Sequence, residues 1–121
     1  MRRILYVEDD PINALVVQKL LKSEFNVIHS IDGETCLSML EKERFDLILM
    51  DINLGKGKMD GVETMHQIKA NPKTKHIKVI TVTSYALPED RERFLREGFD
   101  AYLAKPVDRA VLLKTIHQYL A

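Results

Sequence analysis

The 121-residue chain has no tryptophan and a single cysteine, Cys36. One thiol cannot close an internal disulfide, so the chain reads as a protein of a reducing compartment, not a stapled secreted scaffold. An excess of either charge is also missing: 18 basic and 18 acidic residues give a formal net charge of +0. Nucleic acids and anionic membranes are bound through a basic excess, so neither is an expected partner. Apolar runs such as Leu47-Ile48-Leu49-Met50 are far short of the ~18 residues a membrane helix needs. Met1-Arg2-Arg3 leads into a short strand-like run ending at Glu8, not into a signal-peptide core. No linker, low-complexity tract or internal repeat interrupts the chain. With 45% hydrophobic and 30% charged residues the composition is that of an ordinary globular protein, which excludes disorder. The length suits one domain over residues 1–121, and a soluble, cytoplasmic one is expected.

What the chain does have is a regular alternation of element types. Ile4-Leu5-Tyr6-Val7 is too short for a helix and rich in β-formers. From Pro11 the apolar residues Ile12, Leu15, Val16 and Leu20 keep helical spacing, with a break at Lys19. Phe25 to Ile28 reads as a strand, Glu34 to Glu43 as a helix, and Phe45 to Met50 as a strand buried on both faces. Val62, Met65 and Ile68 mark a helix closed by Asn71-Pro72, and Ile77 to Val82 is a fourth strand. Pro88 to Glu97 predicts a charged helix stopped by Gly98, which tolerates a left-handed cap. Ala101 to Ala104 is a fifth strand, and Val111, Leu112, Ile116 and Leu120 belong to a last helix. Five strands alternating with five helices imply an α/β fold, a parallel sheet covered on both faces. The flavodoxin-like (βα)5 order is 2-1-3-4-5, with the site beyond the carboxyl ends of strands 1 and 3, where the order reverses.

Chemistry-bearing residues stand at those ends. Strand 1 runs into Glu8-Asp9-Asp10-Pro11. Asp10 is accounted for as a helix N-cap ahead of a first-turn proline, but a cap does not require Glu8 or Asp9. Strand 3 ends at Asp51, strand 4 in Thr81-Val82-Thr83-Ser84, and strand 5 is followed by Lys105-Pro106. Taken singly these are a loop aspartate, strand threonines, a serine able to cap a helix, and a solvated lysine. Together they would put Glu8, Asp9 and Asp51 in one crevice. Two carboxylates ~5 Å apart repel by about 3 kcal/mol at an effective dielectric near 20, against roughly 5–15 kcal/mol of total stability for such a domain. The cluster therefore calls for a cation. No Cys or His lies near these motifs to favour zinc, and Mg²⁺ suits carboxylates while keeping waters and room for a phosphate oxygen. A hydroxyl donor at Thr83 and a point charge at Lys105 suit an incoming phosphoryl group. The chemistry inferred is phosphoryl transfer onto Asp51, giving an acyl phosphate.

With these residues in place, the sequence resembles a response-regulator receiver domain of two-component phosphorelay signalling, of the single-domain, chemotaxis-regulator-like kind. The resemblance covers the whole chain, through Val7-Glu8-Asp9-Asp10, Leu49-Met50-Asp51-Ile52, Met59-Asp60-Gly61, Val82-Thr83-Ser84-Tyr85-Ala86 and Gly98 to Pro106. It implies that Asp51 is the phosphoacceptor and that a histidine kinase or histidine phosphotransfer protein is the donor. It implies a Mg²⁺ site, with Mn²⁺ the alternative ion, at Asp9, Asp51 and the backbone carbonyl of Asn53, with Glu8 acting mostly through water. Thr83 and Lys105 match the residues that sense the phosphoryl group, Ser84 a small slot beside it, and Lys105-Pro106 a peptide bond that is usually cis. Tyr102 matches the switch aromatic, which turns inward when Thr83 moves toward the phosphoryl group and so reshapes the face of helix 4, strand 5 and helix 5. That face would bind a downstream protein, and the chain would be a monomer or a phosphorylation-dependent dimer. Self-phosphorylation and autodephosphorylation are implied, without turnover on an external substrate.

One departure from the family is the loop Asp51-Ile52-Asn53-Leu54-Gly55-Lys56-Gly57-Lys58-Met59-Asp60-Gly61. It is two residues longer than usual, with Gly55 at the usual proline. Lys56 and Lys58 make it a solvated basic loop or one that tunes kinase recognition or phosphoryl lifetime. Other readings find less support. Gly57-Lys58 is followed by Met59, so no P-loop forms, and no G-x-G-x-x-G follows strand 1. The histidines at 29, 66, 76 and 117 have no metal-ligand spacing, and Pro88 to Arg93 reads as a solvated helix face with intrahelical pairs. The alternatives kept are a metal-dependent aspartyl-phosphate-type phosphatase, although Asn53 stands where that class carries a second Asp, and a receiver module from a hybrid kinase. Met1 is expected to be a natural start, and no output domain is expected after Leu120.

Overall fold

Leu47, Ile48, Leu49 and Met50 are each fully buried, which a strand achieves only when both of its faces are covered. The computed structural model, which describes residues 1–120, shows how. Strands β1 (Arg3–Val7), β2 (Asn26–Ser30), β3 (Leu47–Met50), β4 (Lys78–Thr83) and β5 (Ala101–Ala104) alternate with helices α1 (Pro11–Leu21), α2 (Gly33–Lys42), α3 (Gly61–Ala70), α4 (Pro88–Glu97) and α5 (Arg109–Leu120). The strands form one parallel sheet in the order β2-β1-β3-β4-β5, the flavodoxin-like arrangement expected. Ala121, the last residue of the expected domain, lies outside the described residues.

Strand alternation divides the core in two. Leu5, Val7, Ile48, Met50 and Val79 pack with Cys36, Met65, Ile68 and Phe94 from α2, α3 and α4. Ile4, Tyr6, Leu49, Ile80 and Val82 pack on the opposite face with Val17, Leu21, Leu112 and Ile116 from α1 and α5. Burial pushes the Cys36 thiol up to about 12, with the charge of Asp32 adding to the effect. This cysteine is an inert core residue.

Aspartates start the helices. Asp10 accepts from the Ile12 N–H, Asp32 from Thr35, Asp60 from Glu63 and Asp108 from Val111. Helix α4 is the exception: its N-cap position is Leu87, and the Asp90 carboxylate reaches back to the Leu87 N–H at 3.1 Å. Ser84, read as a candidate cap, is too far upstream to serve. At the other end Gly98 takes φ +126°, as the cap reading expected. The charged helix carries Arg93–Asp90 and Arg96–Glu92 pairs.

Several boundaries differ from the sequence reading. Strand β1 begins at Arg3, β2 runs Asn26–Ser30, α2 Gly33–Lys42 and β4 Lys78–Thr83, and β3 begins at Leu47 instead of Phe45. The last shift has a local cause: Asp46 is tied to Arg3 by two backbone-level bonds, one from its own N–H and one to its carboxylate. In α1, Ile12, Leu15 and Val16 are 72%, 51% and 50% exposed, while Ala14, Val17 and Leu21 are buried. Both sets keep helical spacing, so periodicity cannot choose between them. Packing against the sheet and α5 does.

Gly61 is the tightest point under the site. Its N–H donates to the Ile52 carbonyl at 2.8 Å, and a Cβ would strike the backbone of Asp51 and Ile52. Gly61→Ala should therefore lose about 2 kcal/mol by forced displacement of packed backbone, read as a lower urea midpoint at unchanged m-value.

Candidate functional site

The strand registers put the carboxyl ends of β1 and β3 level, Val7 pairing with Met50, while β4 and β5 run two residues further: Met50 pairs with Thr81, and Thr83 with Ala104. Backbone bonding then runs one residue further. The Glu8 N–H donates to Ser30, Asp51 to Val7, and Lys105 to Thr83, at 2.9, 3.0 and 2.9 Å. Glu8, Asp51 and Lys105 thus sit on the rigid rim of the sheet. Carboxylate oxygens of Glu8, Asp9 and Asp51 lie within 4.8 Å of one another. Between two of them stands Lys105, whose Nζ donates to Glu8 Oε1 at 2.5 Å and Asp51 Oδ2 at 2.8 Å.

The lysine supplies part of the neutralisation expected of a metal. Three carboxylates against one ammonium still leave two negative charges (three minus one). Burial pulls the Lys105 ammonium downward, but the hydrogen bonds and charges of Asp51 and Glu8 outweigh it, so its pKa is raised and it stays charged. Asp9 faces solvent, yet its carboxyl is held above the usual range, first by partial burial and then by the hydrogen bond and charge of Glu8, with Lys105 opposing. Glu8 and Asp51 are 1% and 7% exposed. Each has its own backbone donor: Asp10 N–H to Glu8 Oε2 at 3.3 Å, and Ile52 N–H to Asp51 Oδ1 at 2.7 Å.

The remaining expected residues surround this centre. Asn53 is exposed, and its side chain accepts from the Gly55 N–H at 3.2 Å. Thr83 is fully buried and its Oγ1 accepts from the Tyr85 N–H at 3.3 Å. Tyr102 is half-buried, and its hydroxyl donates to the Tyr85 carbonyl. Thr83 and Tyr102 are therefore joined through a single residue of the β4–α4 loop. The Lys105-Pro106 bond is cis. Lys58 leans toward Asp32 at 3.7 Å, at the N-cap of α2, and the Met59 N–H meets Glu34. One partner was missed by the sequence reading: the buried Tyr6 hydroxyl donates to Glu8 Oε1 at 3.0 Å. The available signal was a polar ring inside an apolar strand, two residues before Glu8 and so on the same face.

Among the described residues, Glu8, Asp9 and Asp51 are the single cluster of potential metal-ligating side chains. The donors are all hard oxygens, two charges remain uncompensated, and Asp9 opens to water. That chemistry fits an ion such as Mg²⁺, which keeps part of its hydration shell.

Comparison with known proteins gives a consistent picture. Residues 4–117 match the family model for the response regulator receiver domain. The polar-differentiation response regulator DivK of Brucella anthropi is 33% identical over 120 residues, spanning 98% of this chain and 96% of the relative. The receiver domain of a sensor histidine kinase from Pseudomonas aeruginosa, whose crystal structure has a magnesium ion coordinated in the active site cleft, is 35% identical. It superposes with a TM-score of 0.88 over 98% of this chain and 97% of that one. A CheY-like receiver domain protein from Methanospirillum hungatei is 32% identical, with a TM-score of 0.86 over 99% and 94% of the two chains.

Removing the shared cation should expose its value. Lys105→Ala leaves the buried Glu8 carboxylate without its charged partner and should lose about 3 kcal/mol in urea unfolding. Adding Glu8→Gln to that variant should recover most of the loss.

Proposed function

This chain belongs to the response regulator receiver domain family, and on that premise we propose that it is a phosphorylation-driven signalling switch whose phosphoacceptor is Asp51. The observation that carries the reading is the placement of Asp51 Oδ2 against Lys105 Nζ at 2.8 Å, beside the carboxylates of Glu8 and Asp9. The donor is a phosphorylated histidine on a kinase or phosphotransfer protein. A carboxylate oxygen of Asp51 forms a bond to phosphorus, the P–N bond breaks, and the imidazole leaves with the electron pair and takes a proton from solvent. Asp9, Asp51 and the Asn53 carbonyl would hold Mg²⁺, with Glu8 behind them through water, and the ion would supply counter-charge to the phosphoryl oxygens. Lys105 moves its charge onto the new phosphoryl group, and the Thr83 hydroxyl donates to it.

Thr83 and Tyr102 form the switch. A Thr83 hydroxyl drawn to the phosphoryl group gives up the Tyr85 N–H, and Tyr85 is the residue that holds the Tyr102 hydroxyl. Tyr102 then turns inward, shifting the population between two packings. Two apolar surfaces support action by protein contact. Tyr85, Leu87 and Val111 are exposed on the α4–β5–α5 side, and Ile12, Leu15 and Val16 are exposed on α1, which starts beside Asp9. No described helix is long and apolar enough to cross a membrane, and the proposed setting is the cytoplasm. The whole of residues 1–121 forms the receiver module, which acts on no external substrate.

Incubation with a small acyl-phosphate donor tests this reading. Wild type should take one phosphoryl group per chain only with Mg²⁺, and Asp51→Asn none. Thr83→Ala should take label while the Tyr102 ring resonances stay where they were. An unlabelled wild type would remove the mechanism, and multiple turnover on a phosphomonoester would replace it with the phosphatase.

A further inference from the structure

A tyrosine inside an apolar strand brings a polar atom into the core. Tyr6 lies between Leu5 and Val7 on β1, is fully buried, and packs on the α1/α5 side of the sheet. Its ring is fixed by that packing, so its hydroxyl has a set position. The hydroxyl donates to Glu8 Oε1, the oxygen that also accepts from Lys105 Nζ. We propose that Tyr6 is a positioning residue for the acidic site: it holds the Glu8 carboxylate in place, so that Lys105 can leave Glu8 for the phosphoryl group on Asp51. The inference rests on Asp51 being the phosphoacceptor.

The competition between partners carries the argument. Glu8 is 1% exposed, so water is poorly placed to take over when the lysine moves. The other donor to its side chain is the Asp10 N–H, at 3.3 Å and on the other oxygen. Without the Tyr6 hydroxyl, Oε1 depends on Lys105 alone, and the lysine is held back from Asp51. The carboxylate also loses its orienting partner toward the metal position, and such outer partners set ligand geometry. The Tyr6 hydroxyl is a donor by its own chemistry, and the carboxylate oxygen it meets accepts.

The test compares wild type, Tyr6→Phe, Glu8→Asp and the double variant as full chains. Mg²⁺ affinity is read by calorimetry without phosphodonor, and the labelling rate at saturating Mg²⁺ with a small acyl phosphate. Tyr6→Phe should weaken Mg²⁺ binding by roughly 10-fold and slow labelling. In the Glu8→Asp background, whose shorter side chain withdraws from Tyr6, the same change should matter less than about twofold. Val79→Ala, a cavity in the opposite core, should lower urea stability and leave both readouts unchanged. Should Tyr6→Phe not fold, fluorotyrosine-labelled wild type replaces it, and its Tyr6 resonance must shift on phosphorylation. Wild-type behaviour of folded Tyr6→Phe, an equal loss in the Glu8→Asp background, or an unmoved Tyr6 resonance overturns the inference alone. A wild type without Mg²⁺-dependent labelling overturns the assignment of Asp51 as well.

Discussion

The structure turns on one ammonium group shared by two buried carboxylates. Lys105 spans Glu8 and Asp51 from the far side of strands β3 and β4, and no other described side chain ties those two acids to a positive charge. The sheet registers make that possible: β1 and β3 end at one level, β4 and β5 run two residues further, and backbone bonding continues one residue past β1, β3 and β5. Place the lysine on a mobile loop and two nearly dry carboxylates would face each other unpaired.

The same arrangement is deliberately incomplete. One positive charge cannot balance three negative ones, and the Asp9 carboxyl is held above its usual range first by partial burial and then by its neighbour Glu8. A site of this kind gains from any divalent cation that can reach it, and then from any group that offers its own negative oxygens to that cation and to the lysine. The tension in the resting site and its capacity for phosphoryl chemistry are thus one property. From Thr83 the route outward is short, through the Tyr85 backbone to the Tyr102 hydroxyl.

Much of this could be read from the residues. Element order followed from the alternation of short apolar runs with helical spacing, and the acids drew notice because capping explained Asp10 and left Glu8 and Asp9 over. What escaped was tertiary in origin. Which face of α1 turns inward was not legible, because PINALVVQKLL carries two apolar stripes of equal period, and the neighbours decide which is covered. The Tyr6–Glu8 bond was overlooked because tyrosine counts as an ordinary β-former until the strand is known to be buried throughout. Where the basic loop directs its charge was not legible either: in the fold the Lys58 side chain leans to Asp32, a direction that loop composition does not encode.

The central claim is that two negative charges in the crevice remain for a divalent ion to neutralise. Thermal unfolding with Mg²⁺ against NaCl of matched ionic strength measures it most directly. At Mg²⁺ tenfold above its dissociation constant, linkage gives about 1.4 kcal/mol, a rise in midpoint of about 5 °C for a domain of this size, and Asp9→Asn should lose most of it. A midpoint that responds to Mg²⁺ no more than to Na⁺, or equally in Asp9→Asn, would contradict the account.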